Sequence, residues 1–267
     1  MSTIITPKTG VMKMEDSDYF AIDAVNASKL KQFRIAPVLS QMATEETAAM
    51  SMGSLIHCAI LEPNEIEKRY LITDIERRGT KAWDAEEAAA TAEGKEMIKR
   101  KDMEQALFMR DAVWANATAR ECLDGAETEI ACLWQDETTG LACKAKADAI
   151  NRKLGYIIDV KTTVSAHPEE FSKQFSRLGY WLQESWYRWG FAENGFGELV
   201  GDPTPFLFIA IEKGTGLVAT YEMTRDDHSK SYKELYRLLE GYSECTKTGI
   251  WPGYPDYSVI NLPAWAI

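Results

Sequence analysis

Two aspartates lie close together in what the sequence predicts to be a β-hairpin. Residues 144–163 read KAKADAINRKLGYIIDVKTT, and both halves of this segment have the alternation or the β-branched content that strands prefer. The Asn-Arg-Lys-Leu-Gly run between them is typical of a turn. If the loop comprises the last four residues of this run, Asn151 lies opposite Tyr156. The same register then places Asp148 opposite Asp159.

Lysines accompany both aspartates. Side chains alternate faces along a strand, so Lys144, Lys146 and Asp148 share one face, and the register places Lys146 opposite Lys161. Two opposed carboxylates would have Cβ atoms about 4.5–5.5 Å apart, which destabilises a bare sheet. A divalent cation between them would remove the repulsion, and Lys161 could reach a bound phosphate or water. This arrangement is that of metal-dependent phosphodiester hydrolysis, and the alternative is a solvated hairpin face with scattered charges.

Predicted helices before and after the hairpin carry further candidates. The segment 44–61 has apolar residues at helical spacing and contains His57, which is either a core residue or a metal ligand. After the hairpin, a helix is predicted over 167–191, with proline and acidic residues at its start. Gln183 and Tyr187 lie four residues apart and therefore share a face of this helix.

The remaining pattern predicts the elements that must hold these residues in place. Residues 1–20 are predicted to be irregular, and the aromatic tail 251–267 is expected to dock on its own body or on a neighbouring subunit. The other predicted elements are a helix over 26–35, two helices over 83–122 broken near Gly94, a strand over 128–135, a hairpin over 206–212 and 217–222, and a helix from Thr224.

Basic residues that could grip phosphates occur in three places. Arginine is well suited to this task because its guanidinium can make bidentate contacts, although such runs can equally be solvated surface. The candidates are Lys29, Lys31 and Arg34 in the first helix, Arg77, Arg78 and Lys81 in a loop-like run, and Lys144 and Lys146 in the hairpin.

Composition limits the class of protein. The chain has 267 residues, is 45% hydrophobic and carries a net charge of −11. It can therefore bury a substantial core. The absence of a run of about 18 apolar residues or a signal peptide leads us to expect a cytoplasmic protein without a membrane partner. The negative charge suits a ring or cleft that retains nucleic acid better than an open binding surface.

The cysteines exclude two classes of small domain. The five cysteines show no C-x-x-C spacing, which argues against a disulfide framework and a zinc finger. We expect them to be reduced and mostly buried.

In motif order the chain resembles the RecE-like (exonuclease VIII) branch of the PDDEXK nuclease superfamily, to which lambda exonuclease is also related. The similarity begins at about Asn26. The matching segments are Gly53-Ser54-x-x-His57 with Leu61-Glu62-Pro63, then Asp148, Ile158-Asp159-Val160-Lys161-Thr162-Thr163, Gln183-x-x-x-Tyr187, and Leu262-Pro263-x-Trp265-Ala266. In this chain the second acid is Asp159, where the superfamily often has glutamate.

The resemblance implies a fold and an activity. The expected fold is α/β (α+β), with a mixed central β-sheet flanked by helices, a restriction-endonuclease-like nuclease core and a helical N-terminal elaboration. The expected activity is 5′-to-3′ digestion of linear double-stranded DNA to mononucleotides, leaving 3′ single strands. The implied partners are DNA ends, further copies in a ring-shaped homo-oligomer (trimer or tetramer), and a single-strand annealing protein in a bacterial or phage-infected cell.

The resemblance also assigns roles to residues. His57, Asp148, Asp159 and the Val160 carbonyl would hold one or two Mg²⁺ ions, with Mn²⁺ as a substitute. Lys161, and from the neighbouring strand Lys146, would orient water or stabilise the transition state. Gln183 and Tyr187 would hold the nucleophile or the DNA backbone.

Three alternatives stay open, and the chain is expected to form one domain. An iron–sulfur nuclease is disfavoured because it needs three clustered late cysteines and only Cys245 lies late in the chain. The others are a catalytically silent DNA-end-binding module and an endonuclease of the same fold.

The single domain, 1–267, is predicted to comprise a flexible or partner-docked segment 1–25, a helical part 26–125, a catalytic core 126–250 and a docking tail 251–267.

Overall fold

A mixed six-stranded β-sheet runs through the centre of the computed structural model, which describes residues 9–43, 48–197 and 204–262. In spatial order its strands are β1 (Gly10–Lys13), β4 (Glu127–Gln135), β5 (Ala142–Asn151), β6 (Tyr156–Thr163), β7 (Phe206–Glu212) and β8 (Val218–Tyr221). Strands β6 and β7 are parallel, and the other neighbours are antiparallel. A second, two-stranded parallel sheet joins β2 (Tyr70–Thr73) to β3 (Glu96–Lys99).

Helices cover both faces of the central sheet. The helices of the described ranges are α1 (Asp16–Ala21), α2 (Ala27–Ile35), α3 (Ala48–Leu61), α4 (Ile66–Arg69), α5 (Lys81–Ala92), α6 (Arg100–Ala115), α7 (Ala117–Leu123), α8 (Pro168–Arg177), α9 (Tyr180–Glu193) and α10 (Arg225–Thr248). Short 3-10 helices span Pro37–Gln41 and Pro63–Glu65. One core lies between the sheet and α2, α8, α9 and α10, and a second lies between the sheet and α3, α6 and α7. The predicted mixed sheet flanked by helices is confirmed.

Strand β7 shows why the sheet must be covered on both sides. Its residues FLFIAI are all buried, with Phe206 and Phe208 in the first core and Leu207 and Ile209 in the second. A continuous apolar run of this kind is typical of a strand buried on both faces.

The β5–β6 hairpin has the predicted register near its turn. Asn151 pairs with Tyr156, and the ladder continues to Ala149 and Ile158. The ladder ends there, so neither Asp148 with Asp159 nor Lys146 with Lys161 forms the predicted opposed pair. The two strands separate before they reach those positions.

Three predicted boundaries are also wrong. Residues 1–20 were expected to be irregular, but Gly10–Lys13 form β1, which pairs with β4, and Asp16–Ala21 form α1. In the segment 83–122 the predicted break near Gly94 is confirmed, but the segment forms three helices instead of two and also contains strand β3, which pairs with β2. The helix predicted over 167–191 is two helices, broken where Gly179 adopts a left-handed conformation at φ 64°.

The start of the aromatic tail packs against the body of the protein. The Trp251 ring lies 5.0 Å from the Tyr242 ring and 6.3 Å from the Phe33 ring, and the Pro252 carbonyl accepts a hydrogen bond from Val38 N–H. Beyond it the chain is exposed, with Ile260 92% accessible. The C-terminal motif predicted over Leu262 to Ala266 lies, apart from its first residue, outside the described residues.

Two expectations from the composition concern the cysteines and membrane-spanning helices. The five cysteines are unpaired, and all but Cys245 are buried, as predicted. Among the helices in the described part of the chain, none is both long enough and apolar enough to span a membrane.

Gly190 on α9 allows the helix to approach the sheet closely. A Cβ at this position would lie 2.4 Å from the Trp134 ring, which itself packs 4.9 Å from Trp186 and 5.4 Å from Trp189. We expect Gly190→Ala to destabilise the fold by about 1–3 kcal/mol or more, because a packed aromatic cluster cannot yield easily. Thermal unfolding should show the melting temperature lowered by several degrees. Gly53→Ala is the control, because Gly53 also lies within a helix and has no positive φ, and an added Cβ there would meet nothing within 4 Å.

Candidate active site

The candidate site lies where strands β5 and β6 separate. Beyond the Ala149–Ile158 pair, the Val160 N–H donates a 2.6 Å hydrogen bond to the side-chain Oδ2 of Asp148 instead of to a backbone carbonyl. The carboxylate therefore sits between the two strands. Helices from both faces of the sheet can reach this opening, which a flat hairpin would not permit.

Glu129, which the sequence reasoning missed, also lies at this opening. The β4–β5 register pairs its neighbours on both sides but not Glu129, which would lie opposite Asp148 and has a left-handed φ of 58°. Non-glycine residues rarely adopt this conformation, and such strain is concentrated at functional sites. Burial, together with the charge of Asp148, raises the pKa of Glu129. The available signal was a single charged residue inside the otherwise uncharged predicted strand 128–135.

His57 reaches the opening from α3. Its Nδ1 lies 3.5 Å from Asp148 Oδ2. Burial alone would disfavour the imidazolium, but the charge and hydrogen-bonding capacity of Asp148 outweigh burial, so the pKa of His57 is raised above its ordinary value of 6.5. The pKa of Asp148 is lowered: burial acts to raise it, but His57 and then Lys161 outweigh that effect.

These two shifts define a pH window for the ion pair. The imidazolium contribution to stability is fully present below about pH 6.5 and is lost as pH rises through the higher folded pKa of His57. The Asp148 contribution is present above its ordinary pKa of 3.8 and is lost as pH falls through its lower folded value. The pair therefore stabilises the metal-free protein most strongly in mildly acidic solution.

We expect the His57 imidazole to titrate above pH 6.5 in the metal-free protein and Asp148→Asn to lower its midpoint, because the attractive carboxylate is removed while burial stays. A ¹H–¹⁵N titration of the histidine side chains would measure this, and the chain has three histidines to assign. His167 on the surface serves as the internal reference. An unchanged His57 midpoint in Asp148→Asn would contradict the pairing.

Asp159 lies deeper, on the α9 side of the opening. Its side chain is 1% exposed, Oδ1 accepts a 2.7 Å hydrogen bond from Gln183 Nε2, and the Lys161 ammonium lies 2.5 Å from Oδ2. Burial raises the pKa of Asp159, with Lys161 acting against it. The pKa of Lys161 is raised, because Asp159 and Asp148 together outweigh the effect of its burial.

A cleft of about 410 Å³ opens from this centre to solvent. It is lined by His57, Asp148, Gln183 and Tyr187, all four of which were predicted site residues. Burial raises the pKa of Tyr187 well above its ordinary value. The structure thus brings the predicted residues of α3, β5 and α9 to one opening, next to the buried Asp159–Lys161 pair.

The predicted basic residues are divided among different places. Lys144 is buried, and its Nζ donates to the carbonyls of Tyr19 and Ile22 at 2.8 and 2.7 Å, close to the C-terminal end of α1. The prediction that Lys144 contacts DNA is therefore wrong, because its side chain is buried. A cation placed there satisfies helix-end carbonyls and holds α1 against the sheet. Lys146 lines the cleft, where it pairs with Asp16 at 2.5 Å and Glu129 at 2.7 Å.

The loop Arg77, Arg78 and Lys81 is exposed and belongs to a different part of the surface. Arg78 lies 5.3 Å from the Trp83 ring and lines a separate cavity beside β3. Arg69 of α4 does line the active cleft, and it pairs with Glu62 at 2.7 Å. A DNA contact by the exposed loop stays a prediction.

The sequence was also compared with known families and structures. Residues 27–258 match the PDDEXK-like domain of unknown function (DUF3799). The chain belongs to this family. No curated protein matches the sequence.

Solved structures are similar to this PDDEXK-like chain at low sequence identity, and the first of those named below shares its fold. A crystal structure of a "Putative exonuclease" from Eubacterium rectale superposes with a TM-score of 0.64 at 13% identity, covering 94% of this chain and 96% of that chain. A phage-related exonuclease from Haemophilus somnus 129PT gives a TM-score of 0.37 at 11% identity, covering 87% of this chain and 99% of that chain.

The donor set of this PDDEXK-like site suits a hard divalent cation. Carboxylate oxygens of Asp148 and Asp159, the Val160 carbonyl and the His57 imidazole are ligands that Mg²⁺ or Mn²⁺ accepts. Within the described ranges, no three His, Cys, Asp or Glu side chains already stand at ligand spacing. The charge of Asp159 is instead neutralised by Lys161, whose ammonium occupies Oδ2. These residues can therefore hold a cation when the Lys161 ammonium moves away from Oδ2.

Proposed function

We propose that this protein is a RecE-like, metal-dependent exodeoxyribonuclease that degrades linear double-stranded DNA from 5′ to 3′. The observation that carries the proposal is the convergence of Asp148, Asp159 and Lys161 at the opening between β5 and β6, with His57 reaching Asp148 at 3.5 Å. Membership in a PDDEXK-like family supports a nuclease in general. The products are mononucleotides and a 3′ single strand for recombination by annealing.

Asp148, Asp159, the Val160 carbonyl and His57 would hold one or two Mg²⁺ ions. When bound, such ions activate water for attack on phosphorus and neutralise charge on the leaving oxygen. The protein prepares this site by burying Asp159 and by excluding bulk water from it. A buried carboxylate interacts more strongly with a cation than an exposed one does.

Lys161 and the α9 residues supply the other groups of the proposed mechanism. When the Lys161 ammonium releases Asp159, it lies within the site and can stabilise the negative charge that develops on the phosphate. Gln183 holds Asp159 Oδ1 and so directs the second oxygen, Oδ2, to the centre. Tyr187 lines the cleft beside Gln183 and is placed to contact the nucleophile or the DNA backbone.

The charge of the protein bears on how it keeps its substrate. A net charge of −11 disfavours an open DNA-binding surface, because affinity for the phosphate backbone comes from lysine and arginine. We therefore propose a ring-shaped trimer or tetramer that encloses the DNA, working with a single-strand annealing protein in the cytoplasm of a bacterial or phage-infected cell.

The activity and its direction can be tested with end-labelled DNA. Linear duplex labelled at its 5′ ends is incubated with the protein and Mg²⁺, and parallel reactions contain EDTA or 3′-labelled duplex. We expect early release of 5′-labelled mononucleotides with Mg²⁺ and none with EDTA, while the 3′ label stays on long strands.

Other products would favour the other members of this fold class. Early release of long labelled fragments, or cutting of covalently closed circular DNA, would indicate an endonuclease. Binding of duplex ends without any Mg²⁺- or Mn²⁺-dependent release would indicate a catalytically silent end-binding module. Early loss of the 3′ label would overturn the proposed polarity.

A further inference from the structure

Lys31 of α2 is a half-buried lysine that the proposed mechanism leaves unused. The sequence places it in a basic patch with Lys29 and Arg34, but the structure turns its side chain inward, toward α9. Its Nζ donates a 2.9 Å hydrogen bond to the side-chain Oε1 of Gln183. The other end of the same amide donates to Asp159. Lys31 is therefore joined to the catalytic centre through one side chain.

This contact determines which way the Gln183 amide points. An ammonium can only donate hydrogen bonds, and an ionised carboxylate can only accept them. With an ionised Asp159 on one side, the amide nitrogen must face Asp159, and the amide oxygen then accepts from Lys31, which can donate whether it is charged or neutral. If the ammonium were absent, Oε1 would lose its partner, and the amide would be free to rotate away from the carboxylate.

The position of the Lys31 ammonium is electrostatically unfavourable. Lys31 Nζ lies 5.3 Å and Lys161 Nζ 4.9 Å from the centre of the Tyr180 ring, so two like charges share one aromatic side chain. Burial and then the charge of Lys161 lower the pKa of Lys31 to about 7. A half-buried charge beside a like charge costs stability, so its presence beside a catalytic centre points to a functional role.

The backbone at the start of α9 is also shaped around this lysine. Gly179 has a φ of 64°, and a Cβ added there would lie 3.3 Å from Lys31 Cγ. Glycine both adopts this conformation readily and leaves room for the aliphatic part of Lys31. The aliphatic chain thus packs on Gly179 while the ammonium is held at Gln183.

We propose that Lys31 is a positioning residue, which fixes the Gln183 amide so that Asp159 keeps Oδ1 occupied and presents Oδ2 to the reacting centre. The proposal rests on the nuclease function proposed above, which it deepens. Groups that contact a metal ligand directly, as Gln183 contacts Asp159, typically contribute about 10- to 100-fold to affinity or activity, and loss of Lys31 should remove this contribution if it frees the Gln183 amide.

A double-mutant cycle on hydrolysis tests whether Lys31 acts through Gln183. We expect Lys31→Met to lower kcat about 10- to 100-fold while KM for duplex DNA changes by no more than about twofold. Lys31→Arg should recover part of the loss, because it keeps a cationic donor. In a Gln183→Ala background, Lys31→Met should have almost no further effect. Lys29→Met is the matched control, since Lys29 lies on the same helix but does not line the cleft, and it pairs instead with exposed Asp23.

The cycle also has outcomes that would overturn the proposal. Equal losses from Lys31→Met in the wild-type and Gln183→Ala backgrounds would show that Lys31 does not act through Gln183. A rise in KM at constant kcat would assign Lys31 to DNA binding instead. A loss in Lys29→Met as large as in Lys31→Met would indicate a general charge effect.

A second readout does not depend on activity. In the metal-free protein, the side-chain NH₂ of Gln183 should give two separate ¹H–¹⁵N signals with slow hydrogen exchange, assigned with Gln183→Ala. We expect Lys31→Met to increase their exchange rate, whereas Lys29→Met should leave it unchanged. Unchanged signals in Lys31→Met would overturn the proposal. If wild-type protein hydrolyses no DNA, the proposed function fails, and this measurement still decides the role of Lys31.

Discussion

Lys161→Ala is expected to reduce metal-dependent DNA hydrolysis about 10²- to 10³-fold, the typical effect of removing one preorganised group at a reacting centre. Lys161 is mostly buried, and its ammonium lies 2.5 Å from Asp159 Oδ2. Its charge is therefore aimed into the centre and is screened little by solvent. Among the described groups, the Lys31 ammonium is committed to Gln183 and Lys146 to two acids, so neither can replace it.

The fold should survive this substitution. Breaking a buried ion pair destabilises a protein when it leaves an uncompensated charge. Asp159 can avoid this by taking up a proton, because its pKa is already raised by burial. Circular dichroism and thermal unfolding should therefore show a folded Lys161→Ala protein at the assay temperature.

Lysine in the turn of the same hairpin provides the control for Lys161. Lys153 is exposed, so Lys153→Ala removes the same charge from the same hairpin outside the cleft. We expect near wild-type rates for it under single-turnover conditions with Mg²⁺. Wild-type rates in Lys161→Ala would contradict the catalytic assignment.

Asp148→Asn is expected to weaken Mn²⁺ binding by about 100-fold or more. Even groups one step removed from a metal typically contribute about 10- to 100-fold in affinity, and here a charged ligand itself is lost. The amide oxygen of asparagine can still accept from Val160 N–H, which in the wild type donates to Asp148 at 2.6 Å. The separation of β5 from β6 should therefore be preserved, and the loss can be attributed to charge.

Calorimetric titration of Mn²⁺ into DNA-free protein would measure this affinity. Asp23→Asn is the control, because Asp23 is fully exposed and pairs only loosely with Lys29 at 3.3 Å. Binding of equal strength in Asp148→Asn and wild type would show that the cation, if it binds, is held elsewhere. In that case the proposed ligand set would have to be abandoned.

Local sequence patterns were sufficient to predict much of this protein. The hairpin register near Asn151, the pairing of β7 with β8, the helix start at Thr224 and the shared face of Gln183 and Tyr187 depend on turn chemistry, capping and side-chain periodicity. These are properties of a few neighbouring residues. The order of His57, Asp148, Asp159 and Lys161 along the chain carried the resemblance to a nuclease family; the structure brings Asp148 close to His57 and Asp159 close to Lys161, and their roles in one site stay a prediction.

Other features of the site were decided by tertiary structure. Periodicity assumes a regular strand, but the β5–β6 ladder ends at Ala149 and Ile158, and only then can Asp148 turn between the strands. The conformation of Glu129 depends on that irregularity in its neighbouring strand. Helical spacing placed Lys31 on the basic side of α2, where a solvated side chain was the simpler interpretation.

The position of each lysine side chain depends on a partner that is distant from that lysine in sequence. Lys31 meets Gln183 across 152 positions, and Lys144 meets the Tyr19 carbonyl across 125. A lysine at the surface and a buried lysine have the same local pattern, because burial is settled by what packs over the side chain. The sequence alone determined which charged groups the protein has and in what order. Only the packing of α2 and α9 on the sheet decided which charges face solvent and which face the centre.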